Sequence, residues 1–511
     1  MVKINQIEKL TENIKNLLAN RYEIAAKNKA IIDRFLLPAI KNFTVQGITE
    51  NGLDSTGILY MDKLRNKISS LVMNSSYIWA YIEAPKWATI SHTDKLLFEE
   101  HTKKVFDVIQ ETSNFETEKA KIIADYLIGT TAFKVKYTQN LFSPAIVQHC
   151  NLKNIYLGDD RRGKQGDVFF LQERITKYVL ADSFGYEILE SEALKKINNN
   201  EKVNIWEATV EAKIEGKEKI IYAVSLDNGF KDIFYYEELE YNPWVIARCE
   251  LFPGNPYGCG PCIKAIMEIE ALKKKKKNIE KVGERAANPS WVAYTNDPKE
   301  LLRSRLNTPG TISIFKNQST RVEPFNRGER VDIDMYNISE HKEILRDIFY
   351  IDFITAIKDV DDLKNVTATA TQVAVSKFAE QIEPLYSMLQ KELLKGIVMK
   401  VYSCCQLANL VSLEKIEYLK ENPRTSLRYY NAITIAQDQD DLQRANMYIQ
   451  DIASKFGQVG VAAAVKPEEH INALMRRYRV SNKEFRSGEE MEEEMNKIQS
   501  AAISQEGEIE E

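Results

Sequence analysis

Asn255-Pro256-Tyr257-Gly258-Cys259-Gly260-Pro261-Cys262 is where the chain changes character. Gly258, Gly260 and Pro261 read as a tight turn that delivers the chain into a helix, because proline at a first helical position loses no hydrogen bond and presets φ. Behind it Ile266, Ile269, Leu272, Ile279, Val282 and Ala286 recur at helical spacing. Asn288-Pro289 ends the run, giving a rod of about 25 residues and roughly 37 Å. Residues 290–330 look irregular and β-rich, with a turn at Asn307-Thr308-Pro309-Gly310. Asn337 is then expected to cap a second helix, with Glu340 completing a capping box and Ile338, Leu345, Ile348, Phe349 and Ile357 forming its apolar face.

The first rod carries Lys273-Lys274-Lys275-Lys276-Lys277. Five consecutive residues span the whole circumference of a helix, so these lysines cannot share one solvent face. Lys276 follows Leu272 by four and falls on the apolar stripe. It is either a snorkelling side chain or part of a helix packed on several sides that also meets a polyanion or a neighbour's acids.

Upstream, Ile4, Ile7, Leu10, Ile14, Leu17 and Leu18 mark an amphipathic helix that Pro38 is expected to close, and Ile58, Met61, Ile68, Leu71 and Val72 mark a second. A third helical stretch runs from about Thr93 to Gly129 with a break near Ser113-Asn114. Packing is the simplest use for all these stripes. Then Phe133, Val135 and Tyr137 alternate with Lys134 and Lys136, which is strand period. Trp206, Ala208, Val210, Ala212 and Ile214 alternate again, and Tyr222, Val224 and Leu226 follow a turn at Glu215-Gly216-Lys217, predicting an antiparallel hairpin in a mixed region from about 130 to 250. Asn198-Asn199-Asn200 reads as a loop. Downstream, Thr367 is expected to cap a helix of roughly Ala368 to Leu410, kinked at Pro384. The last hundred residues read as mostly helical, ending in a solvated tail with nine Glu against one Lys from Gly488 onward.

The chain has 511 residues, enough for about three domain-sized units. At 44% apolar and 28% charged it is an ordinary globular composition, which excludes wholesale disorder and collagen. With 21 Gly and 14 Pro it has few breakers, so long helices are expected. A net charge of −5 argues against a protein that coats nucleic acid tightly, leaving contacts that are local or weak. Six scattered cysteines make no disulfide framework and suit a reducing compartment. No apolar leader and no membrane-spanning stretch is visible, so synthesis in cytoplasm and no membrane partner are expected.

Chemical motifs are sparse. Cys259-Gly260-Pro261-Cys262 has the spacing of a thioredoxin redox pair but lacks the preceding strand and small βαβ setting. A zinc site would need two more ligands, and Cys404-Cys405 are adjacent and remote. There is no phosphate loop, no nucleophile elbow and no HExxH. His92, His101, His149, His341 and His470 are isolated. Asp159-Asp160 and Asp361-Asp362 read as solvated loop acids. No catalytic, metal-binding or cofactor residue is assigned, and no enzyme is expected.

Several stretches, in order, resemble the portal (head-to-tail connector) proteins of short-tailed, T7-like bacteriophages. They are Leu53-Asp54-Ser55-Thr56-Gly57 with Trp79 beyond, Phe115 through Gly129, Asn255 through Pro261 with Ala287-Asn288-Pro289, Asn307 through Gly310, Val366-Thr367-Ala368-Thr369-Ala370-Thr371-Gln372-Val373, Tyr430 through Ala445, and Phe485-Arg486-Ser487. Ala370-Thr371-Gln372 departs from the family's pattern, which has Glu there. The resemblance implies an α+β, mostly helical portal fold, assembled as a ring, usually of twelve copies. Its parts would be a wing (1–257), a first stem helix (258–287), a clip (288–336), a second stem helix (337–358), a tunnel loop (359–366), a long helix (367–411) and a C-terminal crown with an acidic tail (412–511). Expected partners are sister copies, the major capsid protein, the terminase packaging motor, the tail adaptor, non-specific double-stranded DNA and, as a further candidate, a scaffolding protein. The expected setting is the portal vertex of a virion. Residues expected at the DNA channel are Lys273, Lys274, Lys276, Lys277, Lys358, Asp359, Asp361, Asp362, Lys364 and Asn365. The residues themselves argue in the same direction, because rods longer than an intramolecular hairpin needs want partners, and heterologous contacts that close bury such stripes. The alternatives are a structural scaffold that forms no ring and a thiol–disulfide oxidoreductase using Cys259 and Cys262.

Overall fold

The computed structural model describes residues 12–43, 54–287 (except 86, 89, 141, 160–165, 199, 200 and 215), 291–295, 312–316, 321–324, 331–362 and 368–457 (except 422, 423, 432, 435–443 and 445). In order these form α1 (Glu12–Phe43), α2 (Thr56–Val72), β1 (Ala80–Glu83), α3 (His92–Asp107), α4 (Phe115–Ile128), β2 (Thr130–Tyr137), β3 (Ala145–His149), β4 (Ile155–Leu157), β5 (Val168–Thr176), α5 (Lys177–Phe184) and α6 (Glu192–Lys195). Next come β6 (Lys202–Ile214), β7 (Lys217–Ser225), β8 (Ile233–Leu239), β9 (Trp244–Arg248), β10 (Glu250–Leu251), β11 (Gly258–Cys259), α7 (Pro261–Lys264), α8 (Ile266–Ala287), β12 (Trp291–Thr295), β13 (Ile312–Lys316) and β14 (Arg321–Pro324). The rest are α9 (Val331–Ile348), α10 (Ile351–Asp362), α11 (Ala368–Gln381), α12 (Glu383–Met388), α13 (Lys395–Leu407), α14 (Glu417–Glu421) and β15 (Ser426–Tyr429). Helix and sheet are mixed, with helix predominating. No helix among the described residues is long and apolar enough to cross a membrane.

The expected hairpin is β6–β7, in register from Trp206–Ser225 to Ile214–Lys217, and Gly216 at its turn takes φ +81°. It forms the centre of a five-stranded antiparallel meander, β4-β5-β6-β7-β8. Leu18, Tyr22 and Ala25 of α1 pack on one face against Phe169, Ala208, Val210 and Ile221. Leu180, Ile188 and Leu194 pack with Ile205, Val224 and Phe234 in a separate cluster. The largest core joins the three-stranded sheet β3-β2-β9 to α2, α3, α4 and the run α11–α13.

Strand β2 does not alternate between core and solvent as its sequence suggests, because it is covered on both sides. Lys134 is 1% exposed and pairs with the buried Glu207 of β6, joining the two sheets. Its ammonium lies over Trp244 at 4.7 Å and Phe170 at 5.0 Å. Tyr222 Oη and Gln172 Nε2 also donate to Glu207. Burial alone would raise the Glu207 carboxyl, but Lys134, Lys136 and the Tyr222 hydroxyl together hold it below its ordinary range.

Other boundaries move for physical reasons. Pro38 does not close α1 but lies inside it. The helix continues because Ala39 and Phe43 are buried one turn further on. The break at Ser113-Asn114 falls where expected, after a π-helical turn at Val108–Thr112. The first rod starts as the single turn α7, and α8 follows after Ala265. The second rod begins at Val331 and not at Asn337, with Asp334 in its first turn, near the end where the helix dipole favours acids. It breaks at Phe349-Tyr350, where Tyr350 takes φ +55° and Phe349 packs on Phe43 at 5.7 Å. Asp359, Asp361 and Asp362 therefore belong to helix α10 rather than to a loop, carried by the spacing of Ile351, Ile354, Ile357 and Val360. The long helix is interrupted at Ile382, with Pro384 in the first turn of α12, and by a π-helical turn at Leu389–Leu394. The C-terminal region is not helical throughout, since β15 pairs with β1. Residues 458–511, Asn199-Asn200 and the turn with Pro309 and Gly310 lie outside the described residues.

Gly129, Gly258 and Gly260 meet backbone to backbone. A Cβ on Gly258 would overlap the Gly129 carbonyl, one on Gly129 would overlap that of Gly258, and one on Gly260 would overlap that of Leu127. Gly258 N–H donates to Thr130 Oγ1 at 2.8 Å, and Gly260 N–H donates to the Ile128 carbonyl at 3.2 Å. Because the clash is with backbone, no rotamer relieves it. Gly260→Ala is expected to lower stability by about 2–4 kcal/mol, read as a shift in thermal or denaturant midpoint. An unchanged midpoint would show that this contact is looser than described.

Candidate functional site

The helix pair α8 and α9, called the stem below, is where the resemblance puts the two stem helices. His341 Nδ1 lies 2.7 Å from Glu268 Oε2, and Lys275 Nζ lies 2.9 Å from Asp334 Oδ1. As 268 is level with 341 and 275 with 334, the helices run antiparallel. The segment between them includes the three-stranded sheet β13-β12-β14, in which β12 is parallel to β13 and antiparallel to β14.

The lysine run divides by direction. Lys273 Nζ donates to Asn42 Oδ1 of α1 at 2.9 Å, and burial holds its ammonium below the ordinary range. Lys275 crosses to α9. Lys276 Nζ lies 2.5 Å from Asp54 Oδ1, a carboxylate with only 2% of its side chain exposed. The same oxygen accepts from Thr56 Oγ1 at 2.7 Å and Thr56 N–H at 3.2 Å, at the start of α2. Only Lys274 and Lys277 of the run are exposed. The packing is close here too, since a Cβ on Gly57 would come within 2.5 Å of Ile269 Cδ1. Asp54 thus joins the Leu53–Gly57 stretch to the lysine run. The placement of Lys276 on an apolar stripe left open a snorkelling side chain or a meeting with a polyanion or a neighbour's acids; its partner is Asp54 of the same chain.

Two ion pairs brace the region where the chain enters the stem. Lys264 Nζ holds Glu250 at 2.6 and 2.7 Å. Arg248 of β9 grips Glu392 in the π-helical turn through its backbone N–H at 2.8 Å and its Nη2 at 2.5 Å. Beyond the break at Tyr350, Arg346 Nε donates to Asp352 Oδ1 at 2.8 Å, bridging α9 and α10. The backbone of Lys358, Asp359, Asp361 and Asp362 is helical; Lys364 and Asn365 lie outside the described residues. Gly258 lies in β11, Gly260 precedes α7, and Pro261 is its first residue.

The thiols are poorly suited to exchange. Cys262 is fully buried and Cys259 half-buried, and burial raises both above the ordinary thiol range. Cys150 is pushed up to about 12. Attack on a disulfide needs thiolate, which this setting disfavours. Among the described residues no cluster of three or more His, Cys, Asp or Glu could hold a metal ion.

Removing the cation from Asp54 leaves a buried carboxylate without its strongest partner. Lys276→Met, which keeps the packing of the aliphatic stem, is expected to destabilise the protein by about 1–2 kcal/mol. In a double-mutant cycle with Asp54→Asn, the pair should show a coupling of about 1 kcal/mol. Strict additivity in denaturant melts would mean that the pair contributes nothing.

No curated protein matches the chain in sequence. Two solved structures are similar to the chain at low identity. One, from the virion of a native gene transfer agent particle, is 9% identical with a TM-score of 0.41, covering 86% of this chain and 92% of the other. The second, from the neck of an empty gene transfer agent particle computed with C6 symmetry, is 7% identical with a TM-score of 0.36, covering 83% and 92%. The model of the bacteriophage head to tail connecting protein family matches residues 8–483, nearly the whole length, and the chain belongs to that family.

Proposed function

We propose that the chain is the portal protein of a short-tailed, T7-like phage, forming a ring at one capsid vertex through which double-stranded DNA is packaged and later ejected. The ring would dock the packaging motor and then the tail adaptor. The observation that carries this reading is the stem. Its inner contacts are satisfied within one chain, yet its outside keeps Met267 76%, Met335 60% and Tyr336 73% exposed. Large apolar side chains on both rods of a family member fit a helix pair completed by sister copies.

The work of such a ring is geometric and electrostatic. With about twelve copies at −5 each, the assembly would carry roughly −60, a field that repels a duplex and prevents tight sticking. In this reading the segment from Lys358 to Asn365 reaches the narrowest part of the bore. Asp359, Asp361 and Asp362 discourage adhesion there, and Lys358 and Lys364 supply salt-sensitive phosphate contacts without sequence information. ATP hydrolysis belongs to another chain, since no phosphate loop is present in the sequence.

Two measurements test this. Negative-stain microscopy of the concentrated, purified chain should show annular particles with a central hole; monomers alone across salt and pH conditions would refute the ring. Asp359→Asn with Asp361→Asn and Asp362→Asn should leave rings intact while raising retention of linear duplex at low salt about fivefold or more. Unchanged retention would remove these acids from the bore.

A further inference from the structure

The two stem helices turn unlike faces outward. At about 100° per residue, Lys274, Lys277 and Lys281 lie within a 60° stripe of α8, and all three are exposed. The residues that reach α9, Glu268 and Lys275, lie about 130° from that stripe. The residues directed at α1 and α2, Lys273 and Lys276, lie on the other side. On α9, Glu340, Glu343 and Asp347 also form one stripe and are also exposed. It lies about 130° from Asp334 and His341, which reach α8. The basic and acidic stripes are therefore on opposite flanks of the helix pair. Glu280 and Glu284, exposed on α8, sit to one side of the lysine stripe.

The spacings also match. Along α8 the basic steps are three and then four residues. Read backwards along α9, as an antiparallel neighbour presents it, the acidic steps are four and then three. Lys274 to Asp347, Lys277 to Glu343 and Lys281 to Glu340 then fall level within one residue.

The geometry points to a second copy of this chain as the occupant of the lysine stripe: α8 of one copy packs against α9 of the next, pairing Lys274 with Asp347, Lys277 with Glu343 and Lys281 with Glu340. This rests on the ring reading above and adds the residues and the register. It also fixes a tilt. Within one copy Lys277 is level with residue 332, so meeting a neighbour's Glu343 requires a slip of 11 residues, about 16 Å. Neighbouring pairs repeat every two interhelical distances, roughly 18 Å. A slip of 16 Å over 18 Å inclines the stem helices to the ring axis by about 40°.

Charge reversal tests this on the full chain. Lys274→Glu with Lys277→Glu and Lys281→Glu forms one variant; Glu340→Lys with Glu343→Lys and Asp347→Lys forms the other. Each alone puts like charges at every contact, and its ring fraction by mass photometry should fall at least tenfold while its melting midpoint as a monomer is kept. Mixed together, the two restore every pairing and should form rings of alternating copies. Rings from either variant alone at the wild-type level, or no rings from the mixture, would overturn the pairing. A cryo-EM map of wild-type rings should show the inclined stem; helices parallel to the axis, or lysines turned to the bore, would overturn it too. Wild-type protein that forms no ring under any condition defeats the ring reading itself, and that outcome is distinct from the others.

Discussion

Backbone contact at three glycines is the constraint on which the rest of the structure depends. Gly129 ends α4, Gly258 sits in β11, and Gly260 opens α7, so a close backbone approach lies where the chain leaves the body for the stem. The polar groups left at such a contact are satisfied locally: Cys249 N–H donates to the Gly129 carbonyl at 2.9 Å, and Thr130 takes the Gly258 N–H. Tyr257, just before, is 1% exposed. Its hydroxyl donates to the Ile155 carbonyl at 2.8 Å and accepts from Leu157 N–H at 3.0 Å. The direction of the first stem helix is therefore set by main chain and one buried ring, which tolerate little adjustment.

Charge supplies the links that apolar packing leaves unspecified. Lys134–Glu207 joins two sheets, Arg248–Glu392 joins a sheet to the long helical run, and Lys276–Asp54 joins the stem to the start of α2. Lys29 is 2% exposed, donates to the Leu152 carbonyl at 2.8 Å and lies 3.1 Å from Asp33. Desolvation makes buried pairs weak sources of stability, but losing one partner is costly. Their value here lies in position, because each fixes the register of elements far apart in sequence. A purely apolar surface between the same elements would permit sliding.

Much of this was legible in the sequence, for identifiable reasons. The β6–β7 hairpin, helix α2 and the break after the Val108–Thr112 turn follow from local periodicity and turn chemistry, which act over a few residues. The order of motifs indicated the family. Periodicity failed where tertiary contacts decided. Lys134 alternates like a solvent-facing residue yet is buried, because its partner lies 73 residues away. Pro38 looked like a stop, but the core beyond it rewards further turns. The stop at Tyr350 carries no glycine or proline and results from Phe349 seating on Phe43. The inward lysines were half visible: Lys276 on an apolar stripe allowed a snorkelling side chain or a neighbour's acids, and nothing local named Asp54 of the same chain.

The stem's charge arrangement bears on how copies can associate at all. An isologous pair about a two-fold axis places the same patch on both sides, so α8 on α8 would oppose Lys274, Lys277 and Lys281 to themselves, and α9 on α9 would oppose Glu340, Glu343 and Asp347. Both arrangements set like charges at close range, where repulsion is least screened. A head-to-tail contact made at one flank joins unlike faces, and such a contact repeats until it closes or runs on as a filament. In a ring built on that contact, polarity follows from the two unlike flanks of the helix pair.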